Sequence, residues 1–284
     1  MNEPDPTFVN GAPDGVAGWV EAFDRRDIPV FESTLAAIAD ARANEDASDA
    51  HTLTELLADD PLMTLKLLRH VARQRRHREG TDVESVTGAL VMLGITPFFH
   101  AFGQQQSVQQ RLADWPEALQ GLIAVRDRAH RAARFALGFA VHRMDQDAAL
   151  IHEAALMHDF VEMLLWVHAP VLALEVERAQ RSDPQLRSTA AQRDVLGVAL
   201  SDLQQALMKA WHLPEMLVRI TADHASVAPQ VRNVQLAIRV ARHSAQGWDN
   251  PALPDDVDEI ATLLNLATVP TLELLHQLAD DGNG

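Results

Sequence analysis

The chain has 284 residues, 47% of them hydrophobic, so it is long enough to bury one large core or two smaller ones. Its formal net charge of −16 argues against general binding to nucleic acids or anionic membranes, whose phosphates select cationic surfaces. The absence of cysteine excludes disulfides, thiolate metal sites and a cysteine nucleophile. Because no apolar run approaches a membrane span and the acidic N-terminus lacks a signal-peptide layout, we expect a cytoplasmic protein without membrane insertion.

The first part of the chain predicts a flexible segment followed by helices. Residues 1–27 are polar and acidic with several Pro and Gly, and only a short helix at about 16–23 is expected there. From Phe31 onward, apolar residues recur at helical spacing. Asp60-Pro61 is typical of an N-cap followed by proline at the first helical position. Thr52–Glu55 fits a capping box, and Gly94 is typical of a helix end.

Beyond Trp115-Pro116 the helical periodicity continues to the end of the chain. No β-alternation longer than a few residues occurs, and no repeat or sustained heptad is present. The predicted fold class is therefore all-α, with many helices rather than a simple bundle. The expected helices cover about 117–144, 146–158, 161–168, 170–181, 190–196, 201–211, 214–224, 230–246, 256–266 and 270–279.

A His-Asp pair, His158-Asp159, closes one of the apolar helices. HD-type phosphohydrolases hold a metal ion with such a pair, together with an upstream His and a downstream Asp. The upstream His is present as His130, but the stretch from Ala225 to Trp248 contains no carboxylate. These residues therefore predict a degenerate HD site, with no metal and no cofactor.

Six separated segments, in order and at family-like spacing, resemble the HDOD domain, the HD-related output domain of bacterial signalling. They contain a helix pair, a Leu-Gly helix end, an Arg- and Ala-rich helix, the His-Asp helix, a Gln-Arg segment and a Trp-His-Leu-Pro element. In addition, Asp223-His224 falls where the family often has His-His. The six segments are Leu56–Arg69, Val83–Gly94, His130–Ala140, Ala154–Asp159, Gln192–Gly197 and Ala210–Glu215.

The resemblance implies an all-helical, HDOD-like fold with an N-terminal helical lobe packed beside an HD-like lobe. It places the HDOD domain at 28–228, with lobes of about 28–113 and 117–228. Residues 229–284 would add C-terminal helices that cap the HD-like lobe. It also implies an output or scaffold role in signalling, usually without demonstrated catalysis.

Several polar groups expected around the ancestral pocket are replaced in this chain. Phe160-Val161 stand where the family usually has a Gly after His-Asp. Gln192 replaces a Glu, Leu200 replaces a His, and Ala72-Arg73 replaces Asn-Ser. These differences favour a non-catalytic signalling module that binds an unidentified signalling protein.

An enzymatic alternative stays open, in which His130, His158 and Asp159 hold a divalent metal for a phosphohydrolase or phosphodiesterase. Arg239 and Arg242 argue against it, because they lie in the stretch that should supply the fourth ligand and their charge opposes a cation. Asp223-His224 adds a second possibility, a general base oriented by a carboxylate, against a capping or surface role for His224.

An arginine-rich segment at 69–78 stands out in this acidic chain. It has three interpretations: a solvated helix end, a docking patch for an acidic partner, or a contact for a cyclic dinucleotide, since arginine forks match phosphate oxygens. The candidate contact residues are Arg69, Arg73, Arg75, Arg76 and Arg78.

Overall fold

The computed structural model describes residues 7–45, 48–75, 85–183, 185–221 and 228–280. Within these ranges the chain is helical, and its β-structure is limited to an isolated parallel bridge between Val30 and Ser107. The predicted all-α, multi-helical fold is confirmed. No helix in the described ranges combines the length and the apolar character that crossing a membrane requires.

The described residues form two compact units, as judged by their internal contacts. Unit 1 draws on Met1–Gly80, Val86–Val125 and Asp159–Leu213, and unit 2 on Thr81–Ser85, Arg126–His158 and Pro214–Gly284. This grouping does not follow the lobes at about 28–113 and 117–228, because the chain returns to unit 1 after the His-Asp pair. The sequence-based lobes, and the capping role of 229–284, stay predictions.

Unit 1 contains most of the helices. Helix α10 contacts α4, α11 and α13, while α1 packs on α13 and α5 joins α3, α4 and α6. The helices of this unit are α1 (Gly15–Asp24), α2 (Glu32–Ala43), α3 (Ala50–Leu57), α4 (Pro61–Arg75), α5 (Val86–Leu93), α6 (Ile95–Phe102), α7 (Val108–Arg111), the first part of α8 (Pro116–Arg143), α10 (Phe160–His168), α11 (Pro170–Ser182), α12 (Ser188–Leu196) and α13 (Leu200–Ala210).

The N-terminal segment has a defined place in unit 1 from Thr7 onward, although the sequence predicted residues 1–27 to be flexible. Helix α1 buries Trp19 and Phe23 completely, and the indole N–H of Trp19 donates to the carbonyl of Leu196 at 3.0 Å. The N–H of Val9 donates to the carbonyl of His168 at 2.7 Å. These contacts are long-range, so the polar composition of the segment did not indicate them.

The predicted N-cap at Asp60 is confirmed. Its Oδ1 accepts hydrogen bonds from the N–H groups of Leu62 and Met63, both at 2.9 Å. Its Oδ2 accepts from the N–H of Phe31 at 2.9 Å and the hydroxyl of Thr34 at 2.7 Å, although the carboxylate is buried. The first two bonds cap α4, and the other two join its start to the start of α2.

The predicted capping box at Thr52 is wrong. Helix α3 begins at Ala50, and Asp49 is its N-cap, with the carboxylate accepting from the N–H of Thr52 at 2.8 Å. Asp49 lies three residues before Thr52. Aspartate caps a helix as well as threonine does, so the sequence alone did not separate the two starts.

Unit 2 is built around α15, which contacts α9, α14 and α16. The buried Asn233 of α15 donates from Nδ2 to the carbonyl of Ala136 in α8 at 3.2 Å. Helix α17 packs on α16 and also approaches α8 at Gly138. The helices of this unit are the rest of α8, α9 (Ala148–Leu156), α14 (Glu215–Ile220), α15 (Pro229–His243), α16 (Leu253–Leu264) and α17 (Thr268–Asp280).

Candidate functional site

The His-Asp pair lies in the short turn between α9 and α10, as the sequence predicted. The N–H of His158 donates to the carbonyl of Ala155 at 3.3 Å, which closes α9. Asp159 is the N-cap residue of α10, and its carbonyl accepts from the N–H of Met163 at 3.1 Å. Its carboxylate makes no capping hydrogen bond to α10. Both side chains are half-buried, and the boundary between the two units falls between these two residues.

The other expected members of the HD site are placed as follows. His130 is half-buried on α8, within unit 2. Asp223 and His224 lie outside the described residues. His130, His158 and Asp159 each interact with other groups, so none of them is a free side chain.

Among the described side chains, no group of three or more His, Asp or Glu residues is arranged to hold a divalent metal ion. A catalytic site of this kind needs at least three converging protein ligands, with a position left for water or substrate.

Helix α15 occupies the stretch in which the HD site has its downstream carboxylate. Arg239 donates from Nη2 to Asp256 at 2.6 Å and to Glu259 at 2.9 Å, both on α16. Hydrogen bonding to Glu259, and then to Asp256, raises the pKa of Arg239 against the effect of its partial burial. His243 Nδ1 lies 2.5 Å from the other oxygen of Asp256, which is buried. This cluster joins α15 to α16. No local pattern in the sequence indicated this cluster, because its residues lie 13 to 20 positions apart along the chain.

Two of the five candidate arginines meet at one carboxylate, that of Asp24 at the end of α1. Arg69 Nη2 donates to Oδ1 at 2.9 Å, Arg73 Nη2 at 2.7 Å and the indole N–H of Trp211 at 3.1 Å. The guanidinium of Arg69 lies 4.2 Å from the centre of the Trp211 ring. We call these four residues the Asp24 cluster.

The two arginines of the Asp24 cluster differ in exposure. The side chain of Arg69 is 7% exposed and also donates to the carbonyls of Asp24 and Arg26, whereas Arg73 is 48% exposed. Partial burial alone would raise the pKa of Asp24, but hydrogen bonds and charge from the two arginines outweigh it and lower that pKa. The cluster is thus an ion-paired junction of α1, α4 and α13.

The remaining arginines of the segment lie at the limit of the described residues or beyond it. Arg75 is the last residue of α4, and Arg76 and Arg78 lie outside the described residues. Their predicted role in ligand or partner contact stays a prediction.

His168 is a buried polar residue that the sequence did not single out as important. His168 is completely buried at the end of α10, and its Nδ1 accepts a hydrogen bond from Arg111 Nη2 at 3.1 Å. Arg111 also donates to the carbonyls of Val167 and Thr7, which ties the N-terminal segment to α7 and α10. Burial, and then the charges of Arg111, Arg26 and Arg69, hold the pKa of His168 well below its usual value.

A surface cavity of about 350 Å³ lies along the same N-terminal segment. Its walls come from residues 8–11 and from the exposed side of α1, and they include Arg25 and Arg26. Arg25 is paired with Glu21 of the same wall. The cavity therefore offers little free charge, and no part of the predicted site lies in it.

Comparison with known proteins supplies the family. The model of the HDOD domain family matches residues 28–227. No curated protein matches the chain significantly. The MmoQ response regulator of Methylococcus capsulatus has a similar structure, with a TM-score of 0.65 and 19% identity over 89% of this chain and 98% of that one.

A virulence factor from Campylobacter jejuni is similar to the same degree. Its TM-score is 0.64, with 14% identity over 94% of this chain and 99% of that one. At such identities the two structures support the fold alone, and the family match rests on the sequence. Because that match covers well over half of the residues, the chain belongs to the HDOD domain family.

Proposed function

We propose that this HDOD chain is a non-catalytic output or scaffold module of a signalling pathway, and that it acts by binding another protein. The observation that carries the proposal is the state of the ancestral HD site. The described residues offer no converging set of metal ligands, and α15 carries an ion-paired arginine in the stretch where a carboxylate is required. A chain that keeps the HDOD fold but lacks the metal ligands can still bind a partner through its surface, whereas metal-dependent hydrolysis is lost.

The enzymatic alternative would use His130, His158 and Asp159 as three ligands. In its favour, all three residues are present and half-buried. Against it, three ligands must converge, and no such group occurs among the described side chains.

The cyclic-dinucleotide alternative draws little support from Arg69. Both terminal nitrogens of its guanidinium are already bonded within unit 1, and its side chain is 7% exposed. Of the two arginines in the Asp24 cluster, Arg73, at 48% exposure, is the one that could reach a phosphate without breaking the cluster completely.

Metal content decides between the module and the enzyme. The full chain, purified without chelator and without a metal-binding tag, is measured by elemental analysis beside its His158→Ala and His100→Ala variants. His100 is an exposed histidine on α6 and serves as the matched control. We expect far less than one divalent ion per chain in all three proteins, and no phosphodiester turnover with added Mn²⁺ or Zn²⁺.

One ion per chain, lost in His158→Ala and kept in His100→Ala, would contradict the proposal and establish the metal-dependent hydrolase. A module that works by contact should instead form a saturable complex with a purified protein of its own pathway. The absence of any such complex, with the metal site also empty, would refute the binding role.

A further inference from the structure

A non-helical segment, residues 7–14, precedes α1 in unit 1, and we call it the strap. Val9 is buried, Phe8 and Pro13 are half-buried, and the other residues of the strap are exposed. The cavity of about 350 Å³ lies between the first part of the strap and α1, so the strap is not closely packed against α1 on that side. Ordering the strap costs backbone entropy, which only a small number of contacts offset.

Two hydrogen bonds hold the main chain of the strap. The N–H of Val9 donates to the carbonyl of His168 at 2.7 Å, and Nη2 of Arg111 donates to the carbonyl of Thr7 at 2.5 Å. His168 is the last residue of α10, and carbonyls at the end of a helix have no partner within that helix. The strap therefore supplies a donor to an acceptor that α10 leaves open, and an acceptor to Arg111.

One aromatic and one aliphatic side chain add further contacts. The ring of Phe8 lies edge-on to Trp115, with 6.2 Å between the two ring centroids. The guanidinium of Arg111 lies 5.1 Å from the centre of the Phe8 ring. Val9, the next residue, is 8% exposed. A segment in this place is thus recognised by one carbonyl, by one N–H and by an aromatic residue followed by an aliphatic one.

The groups that receive the strap are held in place by contacts other than the strap. Nε of Arg111 donates to the carbonyl of Val167 at 2.9 Å, and Nη2 also donates to Nδ1 of the buried His168 at 3.1 Å. The guanidinium is therefore fixed against α10 independently of its bond to the strap. We call Arg111, Trp115 and the carbonyl of His168 the strap seat. A seat that is already formed costs a bound segment less to engage.

We propose that the strap seat is a peptide-recognition site, which the strap covers in the free chain and which a non-helical segment of a partner protein takes when it displaces the strap. That segment would carry an aromatic–aliphatic pair, because the seat holds this pair in Phe8 and Val9. Its main chain would replace the two hydrogen bonds of the strap. This inference rests on the proposed function, since it names the surface through which the module binds and the chemistry of its partner.

The test uses the full-length variant Phe8→Ala/Val9→Ala, in which the strap keeps its length but loses its side-chain contacts. A fluorescent peptide with the sequence of residues 5–14 is titrated into this variant and into the unaltered chain, and binding is followed by anisotropy. We expect saturable binding to the variant. Binding to the unaltered chain should be at least about tenfold weaker, because the tethered strap competes at a high effective concentration. A peptide with Ala in place of Phe and Val should bind neither protein.

A matched pair of substitutions tests the seat itself. Arg111→Lys, added to the strap variant, keeps the charge but removes the guanidinium fork, and it should weaken peptide binding about tenfold. Arg181→Lys makes the same change at a side chain of α11 that is 73% exposed, and it should leave binding unchanged. Equal loss in both variants would overturn the seat. Equal binding of the peptide to the unaltered chain and to the strap variant would do the same.

Hydrogen exchange in the unaltered chain tests the proposal without any substitution. If the strap leaves its seat while unit 1 stays folded, the amide of Val9 should exchange much faster than the amides in the middle of α10. Exchange of the Val9 amide only at the rate of global unfolding would refute a replaceable strap, and this result would hold even if the strap variant failed to fold.

Two further measurements separate the other occupants and the wider proposal. The unaltered chain should be a monomer by light scattering, and a dimer that Phe8→Ala/Val9→Ala dissociates would assign the seat to the strap of a second copy instead. If a pathway partner binds the unaltered chain and its Arg111→Lys variant equally well, the seat is wrong while the module stands.

Discussion

At the scale of single residues, the buried His168 is a side chain whose protonation would destabilise unit 1. Its Nδ1 accepts from Arg111, so a neutral imidazole carries its proton on Nε2, which has no hydrogen-bond partner among the described groups. A protonated imidazole could not accept that bond and would add a charge beside Arg111, Arg26 and Arg69. The fold therefore requires the neutral form.

This requirement predicts a loss of stability in mild acid. The unfolded chain binds a proton at His168 near the ordinary histidine pKa of about 6.5, whereas the folded chain does so only at lower pH. The free energy of unfolding should therefore fall below about pH 6.5, with up to about 1.4 kcal/mol per pH unit from this residue.

Urea unfolding at several pH values measures this effect. His168→Gln, a neutral amide, should be less stable than the unaltered chain at pH 8 but should lose this part of the acid dependence. His100→Gln, on the exposed side of α6, serves as the control and should keep it. An unchanged slope in His168→Gln would show that the histidine is not buried in its neutral form.

At the scale of helices, two glycines allow close approach, with different consequences. A Cβ at Gly121 of α8 would lie 2.6 Å from atoms of the Trp166 indole on α10. A Cβ at Gly138 would meet the end of the Leu278 side chain, within 2.4 Å of a methyl group. The indole is rigid and nearly buried, whereas a half-buried leucine end can rotate away.

Gly121→Ala should therefore lower the free energy of unfolding by about 1–3 kcal/mol, although alanine is the better helix former by about 1 kcal/mol. Gly138→Ala makes the same chemical change on the same helix and should have the smaller effect. Chemical denaturation of both variants tests the comparison. A stabilised Gly121→Ala protein would mean that α8 and α10 are not in contact at this point.

The Asp24 cluster connects α1 to two other helices of unit 1, α4 and α13. Asp24 closes α1, Arg69 and Arg73 come from α4, and Trp211 follows α13. The aspartate lies 45 residues from Arg69 and 187 residues from Trp211 along the chain. Arg69, the first arginine of the segment, therefore has a structural role. Any role of the segment in binding belongs to Arg73 and the residues after it.

At the scale of the whole molecule, charge imbalance is the dominant feature. The chain has 40 Asp and Glu against 24 Lys and Arg, and like charges repel across a compact surface. Salt screens this repulsion, since the Debye length falls from about 20 Å to about 4 Å between roughly 0.02 M and 0.5 M NaCl.

The melting temperature should therefore rise by a few degrees over that range of NaCl. Differential scanning fluorimetry gives the measurement, with sucrose at matched viscosity as the control for effects other than screening. A fall in melting temperature would show that ion pairs such as those at Asp24 and Asp256 outweigh the net repulsion.

The sequence predicted helix positions well because periodicity and caps are local. The long helix was expected over 117–144 and spans Pro116–Arg143, and Asp60 caps α4 as predicted. The family motifs, read in order, predicted the HDOD match at 28–227 almost to its limits. These features depend on residues within a few turns of each other, or on a pattern of them along the chain.

Only the tertiary structure decided which distant side chains meet. No local pattern pairs Arg239 with Asp256, buries His168 against Arg111, or brings α17 onto Gly138 beside the exposed Val141. Such contacts depend on how whole helices pack, and packing is set by the sum of many weak long-range interactions. The sequence by itself therefore determined the family and the helices of this protein, whereas its ion-pair clusters and its buried histidine contact are products of packing.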